Sequence, residues 1–454
     1  KEQFSLRIAI WMILNKKHGS YWSGIMQIRC DSLFVYQVKQ VLQKGFFHLF
    51  SANCLTQLLG FGSLIIVSKL LLPEEVGAIK IIQAYIAVFL TLAQLGRNSA
   101  IIKFCAEIRE SSLRMFMLQH TLLLTAAFSL GMLVILIIAA QQRWISQDEI
   151  VCRWLPLYAA IILPNVIYSI FTNYLQAIKQ FKKIAVTQSL IKVISVFGVV
   201  AGAWFYGLAG YIVAMLFLSF LSASILAFQS RFSFHPIRDC ALPRGFSFLA
   251  HMSLIGSTIA MLGSYVDLFF LDHFVADREV IGYYALATIF IMIGTQFTGT
   301  VQSFLTPYFA ERSHDGLWLW NQMKRAQRYL SVGMVFICGG IYLFAYLLVH
   351  FYYGYCYVEV LWFLAVLLLQ LWLTTTYSLI GTTLMTINKT QYNIITVTIG
   401  FVVKSVFAYF LVVNYGIYGL VFAPVMAEIP CIVVEYILAR YAFRTRFGKT
   451  FSAS

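Results

Sequence analysis

Four basic residues, Lys80, Arg97, Lys192 and Lys404, stand inside long apolar stretches of this chain. A cation at the centre of a membrane-spanning helix costs roughly 2.5 to 3.5 kcal/mol, so such residues normally face a bundle interior or a watery cavity rather than lipid. The chemistry available to them there is to accept an anion. Acidic residues in comparable positions are fewer: Asp267, Glu428 and Glu435. For Asp267 and Glu428 two readings stay open, coupling to a transported ion and neutralising a nearby lysine. Lys80 and Glu435 lie close enough to helix ends to snorkel to the headgroups instead. Arg97 lies in a polar stretch, Gln94 to Ser99, that suits helix packing as well as ligand contact. Lys192 and Lys404 are deeper and are the first candidates to line a cavity, with pairing to Asp267 or Glu428 as the alternative.

The elements that must position these residues follow from composition. Of 454 residues, 60% are hydrophobic and 11% charged, and the mean hydropathy is +0.80. Soluble chains carry roughly a quarter charged residues, so this is an integral membrane protein. The apolar runs reach helix-spanning length, about 20 residues. Short alternating strands are not seen, which argues against a β-barrel. Apolar runs set against charged or Gly/Pro interruptions predict about twelve spans. Their centres lie near Gly60, Ala87, Ala127, Leu163, Val196 and Leu216, then Ile259, Ile293, Ile337, Leu369, Lys404 and Met426.

The two halves repeat each other. Tyr206, Gly207, Gly210 and Ala214 recur 209 residues later as Tyr415, Gly416, Gly419 and Ala423. A second match, at an offset of 205, pairs Glu74, Val76, Gly77 and Phe104 with Glu279, Ile281, Gly282 and Phe309. The expected fold is therefore an all-α integral membrane bundle of about twelve transmembrane helices in two six-helix lobes, an architecture that places a binding site between lobes. The expected division is an N-terminal cytoplasmic or interfacial segment 1–44, a first lobe 45–230, a cytoplasmic linker 231–245, a second lobe 246–441 and a cytoplasmic tail 442–454. The intramembrane lysines do not follow the repeat: at offset 209 Lys192 corresponds to Phe401 and Lys404 to Ser195. A site for an asymmetric ligand has no need of that symmetry.

A net charge of +15 could suggest nucleic acid, but its distribution marks one side of a membrane. Of the 33 Lys and Arg residues, 25 fall in the termini and alternate connections, and only Lys69, Arg143, Arg153 and Arg278 fall in the others. Both termini are thus expected to be cytoplasmic. Lys1 to Gly45 lacks a clean apolar core followed by a small-residue cleavage site, so no cleavable signal peptide is expected. The eight cysteines are scattered without metal-ligand or redox spacing. Paired catalytic carboxylates, a nucleophile elbow, a Walker loop and an HExxH helix are absent, so neither an enzyme activity nor a cofactor is expected.

The run Lys69 to Gly77 (Lys-Leu-Leu-Leu-Pro-Glu-Glu-Val-Gly) followed by Gln94-Leu95-Gly96 resembles the opening of the polysaccharide flippases of the multidrug/oligosaccharidyl-lipid/polysaccharide superfamily. Asp267 to Leu271, Gly282-Tyr283-Tyr284 and the Tyr206 to Gly210 element resemble the same family, and the similarity extends over nearly all of the chain from about Gly45 onward. The resemblance implies a Wzx-type flippase of the bacterial inner membrane. Such proteins move undecaprenyl-pyrophosphate-linked repeat units to the periplasmic leaflet for O-antigen or other surface polysaccharide. It also implies membrane lipids and a polysaccharide polymerase as partners, and a cationic cavity suited to a pyrophosphate. A cation-coupled multidrug antiporter of the same superfamily is the alternative, and predicts a cavity dominated by acids. A membrane glycosyltransferase or polymerase would need a large external loop or catalytic acids and leaves the repeat unexplained.

Overall fold

The computed structural model describes residues 47–448 apart from 109, 231–240, 276, 313 and 388. The expected N-terminal segment 1–44 and most of the expected linker lie outside the described residues. The chain divides into Lys1–Ser51 and Ala52–Ser454; the second unit holds the helices that matter below. In order these are α1 (Phe47–Leu70), α2 (Pro73–Ala93), α3 (Arg97–Glu107), α4 (Ser111–Gln141), α5 (Glu149–Ala159), α6 (Ile162–Ala177) and α7 (Phe181–Gln229). After the linker come α8 (Phe246–Phe274), α9 (Arg278–Glu311), α10 (Gly316–Leu348), α11 (Glu359–Tyr377), α12 (Leu379–Thr386), α13 (Thr390–Leu420) and α14 (Ala423–Phe447). The last helix runs to Phe447, past residue 441 where the second lobe was expected to end.

Among the described residues, 8 helices are long and apolar enough to cross a membrane, or 9 when α5 and α6, bent by 49°, count as one span. Local chemistry sets the breaks. Asp148 caps α5 by accepting from the Ile150 and Val151 amides at 2.7 and 3.2 Å. Pro156 inside α5 and Pro164 in the first turn of α6 remove amide donors on either side of the bend. Pro73 opens α2 at its first turn, where a missing amide costs nothing.

The 49 residues of α7 would extend roughly 73 Å as one helix, far beyond a hydrocarbon core of about 30 Å. The helix instead folds back on itself at Gly207, whose φ of 58° and ψ of −138° no β-carbon-bearing residue takes easily. Its arms 181–206 and 208–229 then run antiparallel, and Thr187 donates to Gln229 at 2.7 Å near the far ends. Gly416 breaks α13 in the same way, with φ 61° and ψ −146°. The recurring Tyr-Gly-x-x-Gly motif is thus the turn of a helical hairpin, built once in each half. With α7 counted as two spans, and with α1 and α14 added, each of the twelve sequence-derived centres falls in its own span, six to a lobe. Glu428, Glu435 and Pro430 make α14 less apolar than the rest.

The second residue of the motif's glycine pair does different work. A β-carbon on Gly210 would lie 2.0 Å from the Gly202 carbonyl oxygen, whereas one on Gly207 meets open space. Gly207→Ala is therefore expected to cost only the conformational penalty, about 1–2 kcal/mol, and Gly210→Ala more, because the two arms must separate. Melting temperatures of the purified variants in detergent check the order.

The 205-residue repeat marks the contact between lobes. Helix α2 packs against α9 and α8, and a β-carbon on Gly77 would sit 3.0 Å from the Gly282 amide nitrogen. Repeat-related glycines thus meet each other across the interface, as small residues do where membrane helices approach closely. Phe61 of α1 and Phe290 of α9 add an edge contact at 5.9 Å. At the base-rich end, α3 touches the start of α8 through Ser99 and Ser253, whose hydroxyls are 2.7 Å apart, and through Phe104 and Phe246.

Candidate functional site: charges between and within two lobes

The structure separates the four intramembrane cations into different settings. Lys404, on α13, lies 3.2 Å from Asp267 of α8 and also donates to the Gly263 carbonyl at 3.0 Å. Tyr284 of α9 donates to the other carboxylate oxygen of Asp267. Ammonium and carboxylate side chains are each 13% exposed, so the pair is largely shielded and its partners satisfy one another. Of the two alternatives at this position, pairing with Asp267 is what the chain adopts. Glu428 of α14 lies within electrostatic reach of Lys404 and beside the Thr374 hydroxyl, and Glu435 lies near Glu428. The second lobe therefore gathers one cation and three acids.

The first lobe is the reverse. Lys192 on the first arm of α7 reaches over Gly60 of α1, where a β-carbon would come within 2.9 Å of its ammonium nitrogen. Lys80 on α2 lines a small pocket. Its walls are Leu64, Val67 and Ser68 of α1, Ile79 and Gln83 of α2, Tyr211 of α7 and Ile289 of the other lobe. Gln83 donates to the Tyr211 hydroxyl at 3.2 Å, which leaves the pocket with a polar floor. Among the described residues, neither Lys80 nor Lys192 has a hydrogen-bond or ion-pair partner. Among the described residues these two ammonium groups thus lack a counter-ion inside the bundle, and the space beside Lys80 holds little more than a water molecule.

Arg97 stands apart. It opens α3, just after Leu95 and Gly96 break the span with φ values of 51° and 63°. Its guanidinium is 3.0 Å from His120 Nδ1 and lies over the Phe246 ring at 5.7 Å. This is the base-rich mouth, where α3, α4 and α8 meet, and not the pocket that holds Lys80.

Sequence reasoning passed over Tyr284 and Tyr211, which only tertiary contact brings to the charges. It also placed Arg278 in a connection and did not pair it with Asp148 or Asp272. In the structure Arg278 Nε lies 3.0 Å from Asp148 and Nη1 3.2 Å from Asp272, with both carboxylates buried. The signal available was weak: an acid at the end of an apolar helix, close in sequence to an arginine.

The geometry can be compared with known proteins. A family model described as "Polysaccharide biosynthesis protein" matches residues 42–313. No curated protein sequence matches the chain. Among solved structures, one described as "Lipid II flippase MurJ, inward closed conformation" superposes with a TM-score of 0.70 at 17% identity, over 87% of this chain and 89% of that one. A multidrug resistance MATE family transporter of the MOP superfamily in an inward-facing conformation superposes with a TM-score of 0.68 at 17% identity, over 87% and 96%. An outward-facing conformation of such a transporter gives a TM-score of 0.60 at 16% identity, over 87% and 96%. These likenesses show a shared two-lobe fold; the match over 42–313 covers more than half of the chain, which is a multi-pass membrane protein that belongs to the polysaccharide biosynthesis protein family.

Proposed function

We propose that this protein is a flippase for lipid-linked oligosaccharides, which moves undecaprenyl-pyrophosphate-linked repeat units between leaflets by alternating access. The observation that carries the reading is the pair of unpaired cations, Lys80 and Lys192, on the first-lobe side of a two-lobe membrane fold. An ammonium group left without a counter-ion in a low-dielectric interior is held ready for an anionic ligand. A pyrophosphate supplies that charge, while its polyprenyl tail stays in the bilayer outside the bundle. Family membership in polysaccharide biosynthesis supports the same substrate class.

In this reading the base-rich end faces the cytoplasm, following the positive-inside rule, with both termini on that side of a bacterial inner membrane. The lobes are 45–230 and 246–441. Arg97 at the base-rich mouth meets the pyrophosphate on entry, and Lys404, held by Asp267, serves the second-lobe wall. Delivery of the flipped unit to a polysaccharide polymerase completes the process, and this chain itself is not an enzyme. The acids of the second lobe favour one competing reading, a cation-coupled multidrug antiporter, in which Glu428 takes the coupling ion.

Proteoliposomes containing the purified protein and a radiolabelled polyprenyl-pyrophosphate oligosaccharide test both. The expected result is protein-dependent translocation that falls at least about tenfold in Lys192→Ala, as loss of one charge-assisted contact would produce. Wild-type protein that moves cationic drugs against a proton gradient, and leaves the oligosaccharide in place, decides for the antiporter.

A further inference from the structure

The base-poor end of the bundle, opposite the base-rich mouth, is joined by two cross-lobe contacts at related positions. In the first, the end of α1 meets the turn after α10: Tyr353 shares a hydrogen bond of 2.6 Å with Ser68 and donates to the Ile65 carbonyl at 3.1 Å. Lys69 adds a bond to the Tyr353 carbonyl at 3.0 Å. In the second, the corner between α8 and α9 meets the turn after α4. There Arg278 bridges Asp148 of the first lobe and Asp272 of its own. Ser146 and Tyr85, both first-lobe residues, donate to Asp272 at 2.7 and 3.0 Å.

At the 205-residue offset of the repeat, Asp148 is the counterpart of Tyr353, α4 of α10, and the α1–α2 corner of the α8–α9 corner. The scaffold builds one latch twice, with neutral chemistry on one side of the pseudo-twofold axis and ionic chemistry on the other. Between them lies the close approach of Gly77 and Gly282.

We propose that these latches hold the base-poor mouth shut, and that the ionic one, centred on Arg278, governs its opening. The asymmetry follows from what each latch leaves behind. Without its hydroxyl, Tyr353 leaves Ser68 able to bond the Ile65 carbonyl, which it already reaches at 3.0 Å. Without its guanidinium, Arg278 leaves two buried carboxylates, Asp148 and Asp272, facing each other from opposite lobes. Like charges in that setting repel strongly, so losing Arg278 pushes the lobes apart rather than only untying them. Asp148 cannot swing clear, because it caps α5. The inference rests on the two-lobe alternating-access reading and not on the identity of the cargo.

The test needs no substrate. Val76, buried near this mouth and lining the Lys80 pocket, is replaced by cysteine in a background with the eight native cysteines changed to alanine. A membrane-impermeant maleimide is then applied from the base-poor side in sealed vesicles. Arg278→Gln is expected to speed labelling on the order of a hundredfold, the scale of a broken buried ion pair. Tyr353→Phe is expected to change it by no more than about fivefold, the scale of one neutral hydrogen bond. Arg278→Gln combined with Asp148→Asn and Asp272→Asn should return labelling toward the starting rate, because the repulsion is gone. Should Arg278→Gln fail to fold, Arg278→Lys takes its place: a single ammonium cannot bridge both carboxylates as the guanidinium does, part of the repulsion remains, and labelling should again exceed that of Tyr353→Phe. Labelling in Arg278→Gln, or in its substitute, that is no faster than in Tyr353→Phe overturns the proposal. Failure of oligosaccharide transport in the wild-type protein, with these labelling ratios intact, would count against the cargo alone.

Discussion

Lys404→Ala is expected to destabilise the protein by about 3–5 kcal/mol, and adding Asp267→Asn to restore most of the loss. The substitution removes the ammonium that Asp267 faces at 3.2 Å and leaves a carboxylate buried among α8, α9 and α13, with only the Tyr284 hydroxyl to satisfy it. Asparagine in place of Asp267 removes the charge but keeps an acceptor for Tyr284, so the double variant loses one interaction without stranding an ion. Thermal unfolding in detergent, followed by size-exclusion recovery of the monodisperse protein, measures both steps. The same pair of variants separates structure from transport. A folded double variant that still translocates the oligosaccharide makes Lys404 a structural partner of Asp267. A folded double variant without transport makes Lys404 part of the path as well, alongside Lys192.

Gly282→Val is expected to cost about 3 kcal/mol or more, the upper range for overpacking, and to open the base-poor mouth at the same time. A β-carbon at this position would lie 2.0 Å from the Pro73 carbonyl oxygen and 2.4 Å from its carbon. Those are backbone atoms of a proline-fixed turn, so no rotamer change relieves the overlap. Helices α2 and α9 would have to separate by about 1.5 Å to reach ordinary contact distance. The Arg278 latch stands one turn away on the same helix and would be strained by that movement. Gly339→Ala is the control: α10 leaves open space around that position, and alanine in place of glycine stabilises a helix interior by roughly 0.5–1 kcal/mol. Melting temperatures of the two variants should therefore move in opposite directions, and maleimide labelling at Val76→Cys should rise only in Gly282→Val.

Much of this architecture was legible in the residues because its causes are local or repeated. Span length follows from runs of apolar side chains long enough to cross the hydrocarbon core. The hairpin turns follow from Gly207 and Gly416, whose backbone conformation other residues resist. Burying Lys80, Lys192 and Lys404 in such runs already marks them as facing protein or water. The two-lobe organisation was legible in the repeat, whereas the meeting of Gly77 and Gly282 across the interface was not.

Which charges meet was decided only in three dimensions. Lys404 and Asp267 are far apart in sequence, as are Arg278 and Asp148, and no local rule ties them. A helix that is apolar on every side carries no stripe to say which face turns inward, so rotation about its axis is set by packing against its neighbours. Only that rotation directs Lys80 into a pocket and turns Lys404 toward α8. It also leaves Lys192 over Gly60 without a counter-ion. The sequence by itself determined a two-lobed membrane bundle with costly charges inside it. The tertiary structure decided that, among the described residues, Lys80 and Lys192 of the first lobe stay without a partner while Lys404 of the second is neutralised by Asp267, because pairing requires contact distances that only packed helices supply.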